Sequence, residues 1–339
     1  MNVNQQRPGV YSSYAASSVT VARAGGRAAA VVAAGTKGTA GKVYSFTDST
    51  QAAETFGADA ALDKMVKALF ANGAGKVYAV RVSGADGYEA AFAALEKLDD
   101  VAVVVCDSDV STVQQKLRQS VESASENRRE RLAVVCGGAS ETAAELVSRA
   151  AALNSERVIL TAPGGAAAAA AVAGAIAGEL DPAMPMNGVE LLGVGDLDKS
   201  WTDGEIDTLV LGGVTPIEQL GGVVSIVRAV TTRTKTGTAN DPTWRELSTI
   251  RVVDDVIPGI RSALWAKFSR AKNTPQGRGA IRSQVIVELE EKLRGEIITG
   301  YDNVTVTALE SDPTVCLVQF KFTVAHGLNQ IWIQANITV

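Results

Sequence analysis

With 339 residues, 46% of them hydrophobic and 20% charged, the chain has room for two or three folded domains and falls outside the disordered class. A formal net charge of -5, from 32 basic and 37 acidic residues, argues against nucleic acid or an anionic membrane as the main partner. The single histidine, His326, rules out a multi-histidine metal site or a Ser-His-Asp triad.

The first residues carry neither the basic nor the apolar region of a secretory signal, so a cytoplasmic site of synthesis is expected. From residue 28 to about 178, apolar runs at 27–35, 76–82, 101–107, 131–137 and 157–163 alternate with helical patterns at 60–72, 88–98, 110–125 and 141–153. Strands that are apolar throughout are buried on both faces, which predicts a mostly parallel sheet covered by helices. The alanine- and glycine-rich stretch 162–178 is too short to span a bilayer and reads as a small-residue helix packed on that sheet. Cys106, Cys136 and Cys316 each sit in an apolar run and are expected as buried free thiols.

Beyond Gly188 the texture turns to threonine, tryptophan and strand-type segments, so a domain boundary is expected near residue 190. A strand is expected at 223–232 and helices at 255–272 and 279–294, the first with Asp255 as N-cap and Pro258 in its first turn. Strands follow at 304–309, 315–324 and 331–339. In the second of these Val318, Phe320, Phe322 and Val324 alternate with Gln319, Lys321 and Thr323, marking a half-buried strand. The last alternates likewise and runs to Val339 with no cap, so it needs a sheet to join.

No motif assembles a catalytic or cofactor site. The loop Gly35–Lys42 lacks the phosphate-loop spacing, because Thr36 stands where the first glycine belongs and Val43 where a Ser or Thr would hold magnesium. Gly137-Gly138 ends a strand without the rest of a dinucleotide fingerprint, and reads as a tight turn. The pairs Asp99-Asp100, Asp254-Asp255 and Glu290-Glu291 are neighbours in sequence that do not face each other on a helix, and read as caps or solvated groups. Catalytic, cofactor and metal residues are therefore all expected to be absent. Between Arg261 and Arg282 lie Arg261, Lys267, Arg270, Lys272, Arg278 and Arg282 with no acidic residue. This basic segment is either a solvated face or a contact for an acidic partner.

Taken in order, these segments resemble the contractile phage tail sheath family. Pro8-Gly9-Val10-Tyr11 is similar to the family's opening arm. Residues 30–38, Phe56-Gly57, 69–73 and 76–82 follow its early order of strand, glycine loop and turn. Gly212-Gly213-Val214-Thr215-Pro216-Ile217 resembles a family turn, and 252–255, Asn273-Thr274-Pro275 and 320–339 resemble its carboxyl domain. The match over 84–180 is one of α/β texture alone.

The resemblance implies an outer α/β layered domain at 23–190 inserted into an inner α+β domain at 191–328, flanked by linking segments at 1–22 and 329–339. It implies a structural subunit, not an enzyme, that stacks with copies of itself as helical rings around an inner tube and contracts to drive the tube through a cell envelope. Baseplate and tail terminator proteins are the further expected partners, with assembly in a bacterial host's cytoplasm and residence in a virion tail or tail-like particle. Pro8, Gly9, Val10 and Tyr11 at one end, and Ile331, Trp332, Ile333, Ala335 and Ile337 at the other, are the expected inter-subunit strands. The basic segment is expected to face the tube. The α/β alternation by itself also permits a cytoplasmic enzyme with a nucleotide or sugar-phosphate site, and polymerisation is shared by tube and baseplate components.

Overall fold

The computed structural model of the chain describes residues 26–329 and Gln334. The expected linking residues Pro8–Tyr11, Ile331–Ile333, Ala335 and Ile337 lie outside these described residues.

Strand β1 (Ala28–Ala34) is followed by β2 (Val43–Phe46), helices α1 (Thr50–Phe56) and α2 (Ala61–Ala71), and β3 (Lys76–Val82). Four helices alternating with three strands follow: α3 (Gly87–Glu96), β4 (Val101–Cys106), α4 (Ser111–Glu126), β5 (Leu132–Cys136), α5 (Ala143–Leu153), β6 (Val158–Ala162) and α6 (Gly165–Gly178). Next come α7 (Asp203–Leu211), β7 (Val214–Leu220) and β8 (Val223–Ile226), then a small ribbon of β9 (Lys235–Thr236) and β10 (Ala239–Asn240). The chain closes with α8 (Leu247–Phe268), α9 (Pro275–Arg294), β11 (Ile298–Leu309) and β12 (Asp312–Val324).

Eight strands form one sheet in the order β2-β3-β1-β4-β5-β6-β7-β8. The inner six run parallel, while β2 and β8 close the edges antiparallel. Side chains alternate between two cores: Ala29, Val31 and Ala33 of β1 meet α1, α2 and α6, whereas Ala28, Ala30 and Val32 meet α3, α4, α5 and α7. The small-residue helix α6 is buried along nearly its whole length, and it lies so close to α2 that a Cβ on Gly174 would fall 2.6 Å from the Leu69 carbonyl oxygen. Alanine and glycine are needed there because two backbones approach more closely than larger side chains permit.

The expected boundary at 190 is corrected. Segment 214–217 is strand and not turn: β7 pairs parallel with β6 through Leu160↔Val214 and Ala162↔Pro216, so the α/β layer continues to Ile226. The strand expected over 223–232 stops at Ile226. A third core, built on Val252, Val256, Ile260, Val285, Leu289, Ile298 and Val304, begins inside α8 and defines the second unit. Helix α8 begins at Leu247, eight residues before the expected start at Asp255, so Asp255 is no N-cap and Pro258 sits in the helix interior. Pro258 removes one helical hydrogen bond, at a cost of about 3 kcal/mol, yet burial of Val252, Val256 and Ile260 on either side of it holds the helix continuous. Cys106 and Cys136 are buried as expected, whereas Cys316 is only partly so, because it lies on a two-stranded ribbon covered on one side.

Candidate functional site

In open α/β sheets ligands enter at the carboxyl ends of the strands where the order reverses, which here is the gap between β3-β1 and β4. A crevice of about 350 Å³ lies there, lined by Gly35, Arg81, Ser83, Tyr88 and Ser108 among others. Its polar groups are committed within the chain. Asp107 accepts from the Ala34 amide at 2.9 Å and from the Tyr88 hydroxyl, and Arg81 donates to the carbonyls of Gly35 and Gly38 at 2.7 and 3.0 Å. Across the loop 35–42 the amides of Thr36 and Lys37 donate to Phe56 and that of Gly41 to Arg81, leaving no cradle of amides for an anion.

The second glycine turn is equally filled. Gly138 donates to Glu141 at 2.7 Å, Glu141 pairs with Arg149 at 2.7 Å, and Arg149 also reaches the Asp109 carbonyl and Gln114. A Cβ on Gly137 would meet Leu146 Cδ2 at 2.3 Å, so a larger residue there would displace the buried Leu146 side chain. Burial pushes the neighbouring Cys136 thiol up to about 12, which leaves it protonated and unreactive at neutral pH. No group of three or more potential metal ligands, and no helix long and apolar enough to cross a membrane, occurs among the described residues.

Five of the six acidic residues in these pairs are tied to structural partners, and Glu291 is exposed. Asp99 pairs with Arg129 and Asp100 with Lys76 and Tyr78. Asp254 receives both terminal nitrogens of Arg157 at 2.8 and 3.0 Å, Asp255 binds Lys292, and Glu290 accepts from Tyr301. Burial outweighs the guanidinium and holds the Asp254 carboxyl above the usual carboxylate range. The Arg157–Asp254 pair, Arg261–Glu130 at 2.7 Å and the buried Arg251, which donates to the Glu179 carbonyl at 2.7 Å, form a polar belt joining α8 to the α/β layer. Sequence reasoning missed Arg251 and Arg157, whose only signal was a lone arginine in an apolar setting.

Of the six basic residues, four are engaged within the chain: Arg261 with Glu130, Lys267 with Gln284, Arg278 with Asn273, and Arg282 with the Val304 carbonyl. Arg270 and Lys272 are exposed and lack an acidic partner among the described residues. Trp265, near the end of α8, is 74% exposed and also escaped the sequence reading, although its phase places it off the apolar stripe of Ile257, Ile260, Leu264 and Phe268.

The ribbon β11–β12 is the other open feature. Val318, Phe320, Phe322 and Val324 lie half-buried against the third core, and Gln319, Lys321 and Thr323 are exposed, matching the expected alternation. Among the described residues neither strand has a neighbour on its outer edge. His326 is exposed just after the ribbon, far from any cluster of ligands among the described residues.

Residues 81–232 match the family profile for the phage tail sheath protein central domain, and residues 239–338 that for the phage tail sheath C-terminal domain. A tail sheath protein of Bacillus phage SP01 is 26% identical over 257 residues, covering 71% of this chain and 43% of that protein. The chain thus spans under half the length of this curated relative. Among solved structures, the anti-feeding prophage baseplate superposes with a TM-score of 0.75 at 15% identity, over 99% of this chain and 100% of its counterpart. The contracted helical sheath of the same prophage gives 0.71 at 16% identity, over 98% and 99%. A sheath tail protein of Desulfitobacterium hafniense gives 0.70 at 13% identity, over 93% and 100%.

Proposed function

The chain belongs to the phage tail sheath family, and from that premise we propose that it is the structural subunit of a contractile sheath that polymerises around an inner tube and shortens to drive it through a cell envelope. The observation that carries this reading is the open β11–β12 ribbon. A two-stranded ribbon of this length is marginal alone and exposes rows of unpaired amides and carbonyls, which a strand from another chain satisfies. Segments 8–14 and 331–339 supply such strands to neighbouring subunits. Arg270 and Lys272 face the tube, where exposed cations suit an acidic surface. Baseplate and terminator proteins cap the ends of the polymer, and the particle assembles in a bacterial cytoplasm before it resides in a tail or tail-like device. Work is stored in the lattice, and so the sheath consumes no nucleotide.

Negative-stain microscopy of the purified chain tests the reading. Thick hollow polymers are expected at high concentration, and a species that stays monomeric with and without tubes would overturn it.

A further inference from the structure

A cleft larger than the strand-end crevice lies at the opposite end of the sheet from it. It encloses about 880 Å³ between the end of α2, the end of α6 and the segment 186–192, with Phe70, Gly73, Glu179, Met186, Glu190 and Leu192 on its walls. Its apolar walls are rimmed by Asp48, Glu179 and Glu190, and its one lysine, Lys67, is already paired with Asp63 at 2.8 Å. The rim is therefore net acidic.

The first described residue enters the fold at the mouth of this cleft. Arg27 donates its amide to Ala177 at 2.8 Å and accepts from Gly75, and a Cβ on Gly26 would fall 2.1 Å from the Gly73 carbonyl oxygen. The 25 residues ahead of Gly26 include Arg7 and Arg23 but no Asp or Glu, and residues 15–25 otherwise carry only small or β-branched side chains. The carboxyl-terminal run 330–339 also leaves near this cleft, with Asn329 accepting from Asn187 at 2.7 Å, but it has no cation to offer an acidic rim.

We propose that this cleft is the seat of the chain's own segment 15–25, laid in extended form with Arg23 against Glu190. Residues 19–22, Val-Thr-Val-Ala, present alternate apolar side chains to Phe70, Met186 and Leu192. Docking shortens the free part of the arm to residues 1–14, whose reach is then about 46–50 Å when fully extended. It also sets the direction in which that part leaves the subunit. The docking does not depend on the linking role, since the segment fills the cleft whether or not residues 1–14 meet a neighbour.

Disulfide trapping in the dilute, unassembled full chain tests this. In a Cys316→Ser background, Ala71→Cys on the cleft wall is combined in turn with Val10→Cys, Val19→Cys, Val21→Cys or Ala24→Cys. A docked segment gives an intrachain cross-link at Val19→Cys or Val21→Cys at least ten-fold faster than at Val10→Cys and faster than at Ala24→Cys. Glu190→Lys slows that link several-fold and Arg23→Glu restores it. Rates that merely decline with sequence distance from Gly26 describe a free tether and overturn the docking. Cross-links that join two chains overturn it too, because they hand the segment to a neighbour, as does any outcome with no link above the Val10→Cys background.

Discussion

Arg157 and Asp254 meet across the junction of the α/β layer and α8 with side chains only 13% and 10% exposed. A buried ion pair recovers little more than its desolvation cost, but removing one partner strands a charge. Arg157→Ala is therefore expected to lower stability by about 3–5 kcal/mol, read by denaturant unfolding, whereas Arg157→Leu combined with Asp254→Leu costs far less. The pH dependence has a definite sign. The folded-state pKa of Asp254 already lies above the ordinary value, so the folded state takes up its proton more readily than the unfolded one. This group's contribution to stability consequently falls as pH rises through the carboxylate range. Loss of Arg157 enlarges that difference, and the variant should recover part of its lost stability on acidification from pH 7 to pH 5. A deficit that stays constant with pH would show that the carboxylate is not the stranded group.

Helix α8 connects the two units, with Leu247 and Ile250 in the core of the α/β layer and Val252, Val256 and Ile260 in the third core. The basic segment starts in its distal half and runs on into α9, and the structure divides it into two kinds of residue. Lys267 bonds Gln284 of α9 at 2.7 Å, and Arg261 bonds Glu130 at 2.7 Å, so reversing either disturbs internal contacts. Arg270 and Lys272 are the pair available to a partner. Arg270→Glu with Lys272→Glu should leave the melting temperature within a few degrees of wild type while weakening the coating of purified tubes. The wild-type interaction should itself fade as salt rises and the screening length shortens. Normal coating by the double reversal at low salt would move the tube contact elsewhere.

At the scale of the whole molecule, an eight-stranded layer whose β8 edge is covered stands beside a two-stranded ribbon with both outer edges unpaired among the described residues. Strand β8 is covered by the segment 188–191, through the amide of Leu191 on Val224 and that of Ile226 on Val189. No such cover lies on β11 or β12 among the described residues, so the ribbon is where a second chain can add. On the proposed linking role, deleting residues 331–339 should leave a soluble, cooperatively melting monomer that fails to polymerise, because the deletion would take a strand from a neighbour's sheet and not from the subunit's own core. Normal polymers, or outright unfolding of the monomer, would refute the linking role.

Local pattern alone marked the runs around Val31, Val104, Val134 and Ile159 as doubly buried strands, the alternation from Val318 to Val324 as a half-buried one, and the helices between them, because burial imposes periodicity that survives in the sequence. It likewise excluded a histidine-based or phosphate-loop chemistry, since those need residue types and spacings that are absent. It could not place β7 in the layer, start α8 at Leu247, or separate Arg270 and Lys272 from Lys267 and Arg261. Each of these turns on what lies opposite in space. Val214 is a strand residue because Leu160 is beside it, Pro258 stays helical because two cores hold the turns around it, and a cation is free only if no carboxylate, amide or carbonyl from a distant segment has reached it first.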